Sequence, residues 1–303
     1  MSSAAPASVP PRARLPWAAV AGLVANAFAW GVSWWPLRQL QAMGLHPLWA
    51  TSFFFLIGSL LITLWRPAAW RDLAQYRLLW LLALASGLTN AAFNWAVSIG
   101  DVVRVVLLFY LMPVWAMLLA RAWLGEQVSR VGWLRMGLGL CGAALVLMPG
   151  AQVSQAVMTR SVLADGLGLL GGMCFALNNV LLRKEARRSA RSRALAMFVG
   201  GTIAPLLIAL LLQHGHRVPP PPALAWPWVA LALAQALFFF CANLALQFGA
   251  GRVPVNVTSV IMLSEVLFAA LSSWLLAGEA LTWPKLAGGG LIIVGALLST
   301  IVD

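Results

Sequence analysis

Apolar residues run along this chain in long blocks, not in the spaced stripes of a water-soluble helix or the alternation of a half-buried strand. About ten blocks approach the roughly 20 residues a helix needs to cross the hydrocarbon core of a bilayer. They lie near residues 17–36, 48–65, 78–99, 103–123, 132–149, 162–182, 194–213, 226–248, 255–277 and 283–301. Short connections carrying Pro, Gly or charge separate them, as at Pro67, Gly150 and the run from Pro219 to Pro222. Residues 1–16 read as a disordered cytoplasmic tail, since Ser, Ala and Pro offer little to bury. Arg12 and Arg14 ahead of an apolar block resemble a signal peptide, but that block is long and Trp-rich, so an uncleaved first helix is expected.

The blocks repeat. Leu124-Gly125-Glu126, followed by Gly137 and Gly142, matches Ala277-Gly278-Glu279, followed by Gly290 and Gly295, at a constant offset of 153 (279 minus 126, 290 minus 137, 295 minus 142). More weakly, Ala29-Trp30-Gly31 with Ser33, Leu37 and Arg38 can be laid on Cys174-Phe175-Ala176 with Asn178, Leu182 and Arg183. The repeat divides the chain into residues 17–149 and 162–301, each with five blocks. An odd number of spans per half makes equivalent segments cross in opposite directions. The expected fold class is therefore an all-α integral membrane protein of ten transmembrane helices in two inverted five-helix repeats, an architecture that places a substrate site between the repeats.

Composition agrees with a lipid setting: 62% of residues are hydrophobic and 9% charged, against roughly 25% charged in soluble domains. The net charge of +12 comes from Arg in short runs between apolar blocks. That is the pattern of membrane orientation rather than of a nucleic-acid face. With both termini cytoplasmic, 15 of the 20 basic residues fall inside, and Arg38, Arg104, Arg160, Arg217 and Lys285 outside. The densest basic run, Arg183 to Arg193, reads as a topology anchor on the inner surface. Cys141, Cys174 and Cys241 lie within apolar blocks without CxxC or Cys/His spacing, so they read as packing residues. Gly137, Gly139, Gly142 and Gly288 to Gly290 read as points of close helix approach, at the rim of the bundle or in a dimer. Trp17, Trp65, Trp80, Trp123, Trp226, Trp228 and Trp283 read as an interfacial belt.

Ala29 to Trp34, then Leu111-Met112-Pro113-Val114, Leu124-Gly125-Glu126 and a glycine-rich fifth block ending at Leu145 to Met148, resemble the EamA-type members of the drug/metabolite transporter superfamily. The resemblance covers both halves, from about residue 17 to 301. It implies a ten-span transporter of small metabolites in a bacterial inner membrane, with both termini cytoplasmic. One departure stands out: the second half has Ser264-Glu265-Val266 where the first has Met112-Pro113-Val114.

Polar groups deep in apolar blocks cost energy unless paired or hydrated, which makes them candidates for a site. Asn26, Trp30, Ser33 and Trp34 fall in the first block, Asn90 and Asn94 on one face of the third, and Tyr110 mid-way along the fourth. Asn178 and Asn179 fall in the sixth, Gln235, Asn243 and Gln247 in the eighth, and Asn256, Ser259, Ser264 and Glu265 in the ninth. For each polar residue alone, interhelical hydrogen bonding competes with substrate contact. Together they suggest a central cavity, with Trp30, Trp34, Phe93, Trp95 and Tyr110 as aromatic walls. The candidate substrate-binding set is Trp30, Trp34, Asn90, Asn94, Tyr110, Asn178, Asn243, Gln247 and Ser264. Amides suit a polar uncharged or zwitterionic, amino-acid-like or amphipathic compound.

Glu265 lies ten residues from Val255, or about 15 Å along a helix, near the middle of a core roughly 30 Å thick. A carboxylate that changes protonation there is the candidate proton-coupling group. A hydrogen-bonded structural Glu and an uncoupled substrate contact are the alternatives.

No HExxH, GxSxG or P-loop occurs, the three His fall in connections, and no cofactor, metal, catalytic residue or nucleic-acid partner is expected. The reading is a secondary exporter working by alternating access, as a monomer or homodimer. A non-transporting scaffold or receptor, and a facilitative permease for nucleosides or sugars, remain open alternatives.

Overall fold

A computed structural model describes residues 17–124, 130–148, 155–185, 189–250, 252–253, 258 and 261–301. Glu126, Asn256, Ser259, residues 1–16 and the side chain of Gln247 lie outside the described residues. The described chain is helical throughout: α1 Trp17–Val32, α2 Trp34–Ala42, α3 Pro47–Trp65, α4 Ala69–Gln75, α5 Arg77–Ile99, α6 Val102–Phe109, α7 Met112–Leu124, α8 Arg130–Val146, α9 Gln155–Lys184, α10 Ala190–His214, α11 Trp226–Ala250, α12 Ser264–Ala277 and α13 Trp283–Ile301. Among the described residues, seven helical stretches are long and apolar enough to cross a membrane, while Ser264–Ala277 and Trp283–Leu298 are shorter apolar helices. α8 has 17 residues and carries Arg130 and Arg135 among them.

Two prolines break their helices by the same mechanism. Proline has no N–H and its ring collides with the carbonyl four residues back. Four residues before Pro36 is Val32, where α1 ends; four before Pro113 is Phe109, where α6 ends. At the break the Trp30 carbonyl accepts both the Ser33 N–H, at 3.2 Å, and the Ser33 hydroxyl, at 2.8 Å. A third discontinuity, at Leu263, precedes α12, where Ser264 Oγ donates to the Ile261 carbonyl at 2.6 Å.

Helix pairs form where small residues admit them. α5 and α10 run parallel: a Cβ on Gly200 would stand 1.8 Å from the Ala83 carbonyl oxygen, and one on Gly87 2.3 Å from the Gly200 carbonyl oxygen. α8 and α13 run antiparallel, with Gly142 facing Gly288 while Gly295 faces Arg135. Gly137 and Gly290 meet nothing within 4 Å, so they contribute nothing to this crossing. α3 and α10 also run antiparallel, Gly58 lying against Phe198 and Gly201 against Phe55.

The pairing has a regularity. When α1 is matched with α9, α3 with α10, α5 with α11, α6–α7 with α12 and α8 with α13, the most extensive helix pairs map onto one another, although α3 on α5 has no comparable counterpart between α10 and α11. α1 packs on α11 as α9 packs on α5, α1 on α12 as α9 on α6 and α7, and α3 on α11 as α10 on α5. The pairs α3 with α10, α6 with α12 and α8 with α13 are their own counterparts.

Trp17, Trp65, Trp80, Trp226 and Trp283 are exposed, whereas Trp228 is buried and donates its indole N–H to the Ala223 carbonyl at 3.0 Å. Trp228 is therefore a packing residue, held by a local hydrogen bond, and not part of an interfacial belt. Cys141 and Cys241 are exposed and Cys174 is buried, and all three are free.

Candidate functional site

Both halves of the chain wall a cavity of about 170 Å³. α1 contributes Asn26 and Trp30, α5 Ser86, Thr89, Asn90 and Phe93, and α6 Phe109. From the second half come Phe175 and Asn178 of α9, Met197 and Phe198 of α10, Asn243 of α11 and Glu265 of α12. A smaller cavity of about 80 Å³ shares Ala194, Phe198 and Asn243 with it and reaches Trp65, Arg66 and Arg191.

The three helix discontinuities converge on Glu265, which is 7% exposed. Gly31, just before the first break, lets α1 lie against α12: a Cβ there would be 2.8 Å from the Glu265 carbonyl oxygen. Tyr110, in the second break, brings its hydroxyl to 2.9 Å from Glu265 Oε2 and 3.1 Å from the Met262 carbonyl oxygen. The phenol has one proton for two acceptors. Donated to the carboxylate, it holds an ionised Glu265; donated to the Met262 carbonyl, it leaves the phenolic oxygen to accept from a protonated Glu265. Rotation of one O–H accommodates both charge states.

Of the residues expected at a site, the cavity gathers Trp30, Asn90, Asn178, Asn243 and Glu265. Trp34 lies elsewhere, donating its indole N–H to Ser272 Oγ at 2.9 Å. Asn94 is fully buried and donates to Thr51 Oγ1 at 3.0 Å. Ser264 engages its own helix start, and Tyr110 touches Glu265 from behind the cavity wall. Trp95 sits edge-on to His46, 5.2 Å between centroids. Phe109, Phe175 and Phe198 line the cavity although hydrophobic patterning does not distinguish them from packing residues. Asn26 was visible as a polar residue at depth, and it too lines the wall.

A second polar cluster closes the bundle at the ends of α2, α5 and α12. Arg38 donates to the Gly100 carbonyl at 2.5 Å, the Val97 carbonyl at 3.3 Å and Glu279 Oε1 at 3.0 Å. Glu279 Oε2 accepts from the Val102 N–H at 2.9 Å. Arg104 grips Asp165 through both its Nε and a terminal nitrogen, at 2.7 and 2.5 Å, and Lys285 pairs with Asp101, which also caps α6. Each ion pair joins the first half to the second. Burial pushes the Glu279 carboxyl up, with the charge of Asp101 adding to it and Arg38 opposing. The legible signal was acidic residues at block ends opposite the few outer basic residues. Among the described residues, no three His, Cys, Asp or Glu side chains gather to hold a metal ion.

A model of the EamA-like transporter family matches residues 17–148 and again residues 162–301. The chain belongs to the EamA-like transporter family. A protein of Archaeoglobus fulgidus named "Uncharacterized transporter" is 28% identical over 235 residues, 77% of this chain and 80% of its own length. A solved crystal structure of another protein matches with a TM-score of 0.57 over 94% of this chain and 96% of its own, at 16% identity, a likeness of fold alone. This EamA-like protein is accordingly a multi-pass helical membrane protein and a transporter.

Proposed function

We propose that this protein is a secondary exporter of small amino-acid-like or amphipathic compounds, and that it carries them through the cavity between its halves by alternating access. The observation that carries the reading is the convergence of three broken helices on a buried carboxylate at the wall of a cavity built by both halves. Discontinuous helices at the interface of inverted repeats are where transporters bind their substrates.

Ten crossings in two inverted repeats are supported by the correspondence between the most extensive helix pairs and by the antiparallel course of α8 against α13 and of α3 against α10. Residues 17–149 and 162–301 are the two repeats, in a bacterial inner membrane with both termini cytoplasmic, as the basic residues favour. The end carrying the Arg38–Glu279 cluster then faces outward and is shut. The smaller cavity with Arg66 and Arg191 leads from the site toward the cytoplasm.

Glu265 couples export to proton entry. It binds a proton from the outer side, and its release inward is matched to substrate uptake; the Tyr110 hydroxyl satisfies the carboxyl in either state. Proteoliposomes carrying a pH gradient test this, with radiolabelled amino acids and small amphipathic compounds as the candidate cargo. Wild-type protein should accumulate substrate uphill, and Glu265→Gln should retain exchange while losing gradient-driven accumulation. Full accumulation by the Gln variant removes Glu265 as the proton carrier.

A further inference from the structure

Basic residues are treated differently at the two ends of the bundle. At one end Arg38, Arg104 and Lys285 each hold a carboxylate. At the other, Arg66 caps the end of α3 and Arg191 lies in the first turn of α10, and among the described residues neither forms an ion pair. The antiparallel register that sets Gly58 on Phe198 and Gly201 on Phe55 continues to bring Arg66 level with Arg191. Both are exposed, and both line the mouth of the smaller cavity of about 80 Å³. Two guanidiniums at one mouth repel each other, and an anion between them reverses the sign of that interaction. Asp72 does not fill this place, since its carboxylate accepts the Ser192 hydroxyl instead.

Behind the arginines the cavity turns apolar. Ile62 lies about 6 Å along α3 from Arg66, and Phe198 about 10 Å along α10 from Arg191. Phe240 and Leu244 of α11 complete the wall, the Phe198 and Phe240 rings standing 6.1 Å apart. α3 packs on both α10 and α11, which have no comparable crossing of their own, so a gap remains between them. Trp65 is 65% exposed beside the mouth and Leu244 42% exposed behind it, on surfaces that meet the bilayer. Charge at the helix ends, a Trp beside it and hydrocarbon behind follow the order of headgroup, interface and acyl chain. A soluble anion would leave the apolar wall uncovered, and a neutral lipid would leave the guanidiniums without a counter-charge.

We infer that this smaller cavity binds an anionic phospholipid, its phosphate bridging Arg66 and Arg191 and the start of one acyl chain lying against Ile62, Phe198 and Phe240. Guanidinium forks pair with phosphate oxygens two at a time, which suits them to this headgroup. Ala194, Phe198 and Asn243 belong to both cavities, so the bound lipid stands at the inner mouth of the central one. The inference rests on the orientation proposed above only for which leaflet supplies the lipid, the cytoplasmic one, and its test is a binding experiment that needs no transport.

Native mass spectrometry of the full chain released from mild detergent decides it with three probes. They are dioleoyl phosphatidylglycerol, dioleoyl phosphatidylcholine with the same chains, and glycerophosphoglycerol, the anionic headgroup without chains. Wild-type protein should hold phosphatidylglycerol about ten-fold more tightly than phosphatidylcholine, the scale of one charge-assisted hydrogen bond, and should not bind glycerophosphoglycerol measurably at the same concentration. Arg66→Gln/Arg191→Gln should bring the two lipids to within about three-fold of each other. Arg71→Gln/Arg77→Gln removes the same charge from exposed positions at the same end, away from the cavity, and should leave the ten-fold preference intact. Equal loss in both double variants, or equal affinity of wild-type protein for the two lipids, overturns the site. A chainless headgroup that binds as tightly as phosphatidylglycerol overturns the lipid assignment in favour of a soluble phosphodiester. Any of these results leaves the transporter reading standing, because uphill transport would still be found in phosphatidylcholine proteoliposomes.

Discussion

Removing Arg38 should destabilise the protein more than removing Arg38 and the Glu279 charge together. The guanidinium is 25% exposed and the carboxylate 14%, so the pair is mostly but not wholly withdrawn from water. Burial already outweighs the ion pair at Glu279, because its carboxyl is pushed up despite the neighbouring Arg38. Arg38→Ala therefore leaves a poorly hydrated carboxylate beside Asp101. Stranding one partner of a fully buried pair costs about 3–5 kcal/mol. With the exposure seen here, about 1–3 kcal/mol is expected after solvent screening. Arg38→Ala/Glu279→Gln loses the same bonds to the Val97 and Gly100 carbonyls but strands no charge, so it should recover about 1–2 kcal/mol of that loss. The pH dependence has a definite sign. A carboxyl raised in the folded state binds its proton more readily there than in the unfolded chain. The deficit of Arg38→Ala should therefore be largest at neutral pH and shrink as pH falls through the raised value toward the ordinary 4.5. Reversible unfolding in mixed micelles at pH 7.5 and 5 measures the wild type and both variants. A double variant no more stable than Arg38→Ala would refute the argument.

Three further outcomes are expected. His46 caps α3 by accepting the Leu48 N–H on Nδ1 at 3.2 Å, and burial lowers its pKa to about 4, so the contribution of the neutral ring is present above 6.5 and lost as pH falls from 6.5 to about 4. Discounted for partial exposure, that is about 1–2 kcal/mol, and His46→Asn, which keeps a capping oxygen, should flatten the acid side of the stability profile. Gly200→Ala forces a methyl into the Ala83 carbonyl and should cost about 3 kcal/mol or more, read as loss of membrane-inserted protein; wild-type abundance would refute so tight a crossing. Asn94→Ala should lower abundance and transport in parallel, because Asn94 ties α5 to Thr51 of α3 away from the cavity; lost transport at full abundance would make it a substrate contact instead.

The long apolar blocks made the helices legible, since hydrocarbon admits few other ways to satisfy a backbone. Glu265 was legible for a related reason: an acidic residue so deep needs a partner, though only the fold names Tyr110 as that partner. The amides were harder. Asn90 and Asn94 share a helix face in sequence, yet a four-residue step is enough to put one at the cavity and the other against Thr51. Helical spacing predicts which side of a helix a residue takes, not what neighbouring helices bring to it. Phe109 and Phe175 were invisible as site residues because an aromatic wall and an aromatic core have the same composition.

The correspondence between the most extensive helix pairs has an energetic consequence under alternating access. If the two halves trade shapes, as the proposed alternating access requires, the most extensive helix pairs recur in the second conformer, so much of the packing cancels between the two. What remains is the difference between unlike residues at matched places, chief among them Glu265 against Pro113 and whatever occupies the cavity. A near-degenerate pair of states needs only a small ligand preference to tip it, since each 1.4 kcal/mol of differential affinity moves the ratio about ten-fold. The duplication thus sets the sensitivity of the molecule as well as its shape.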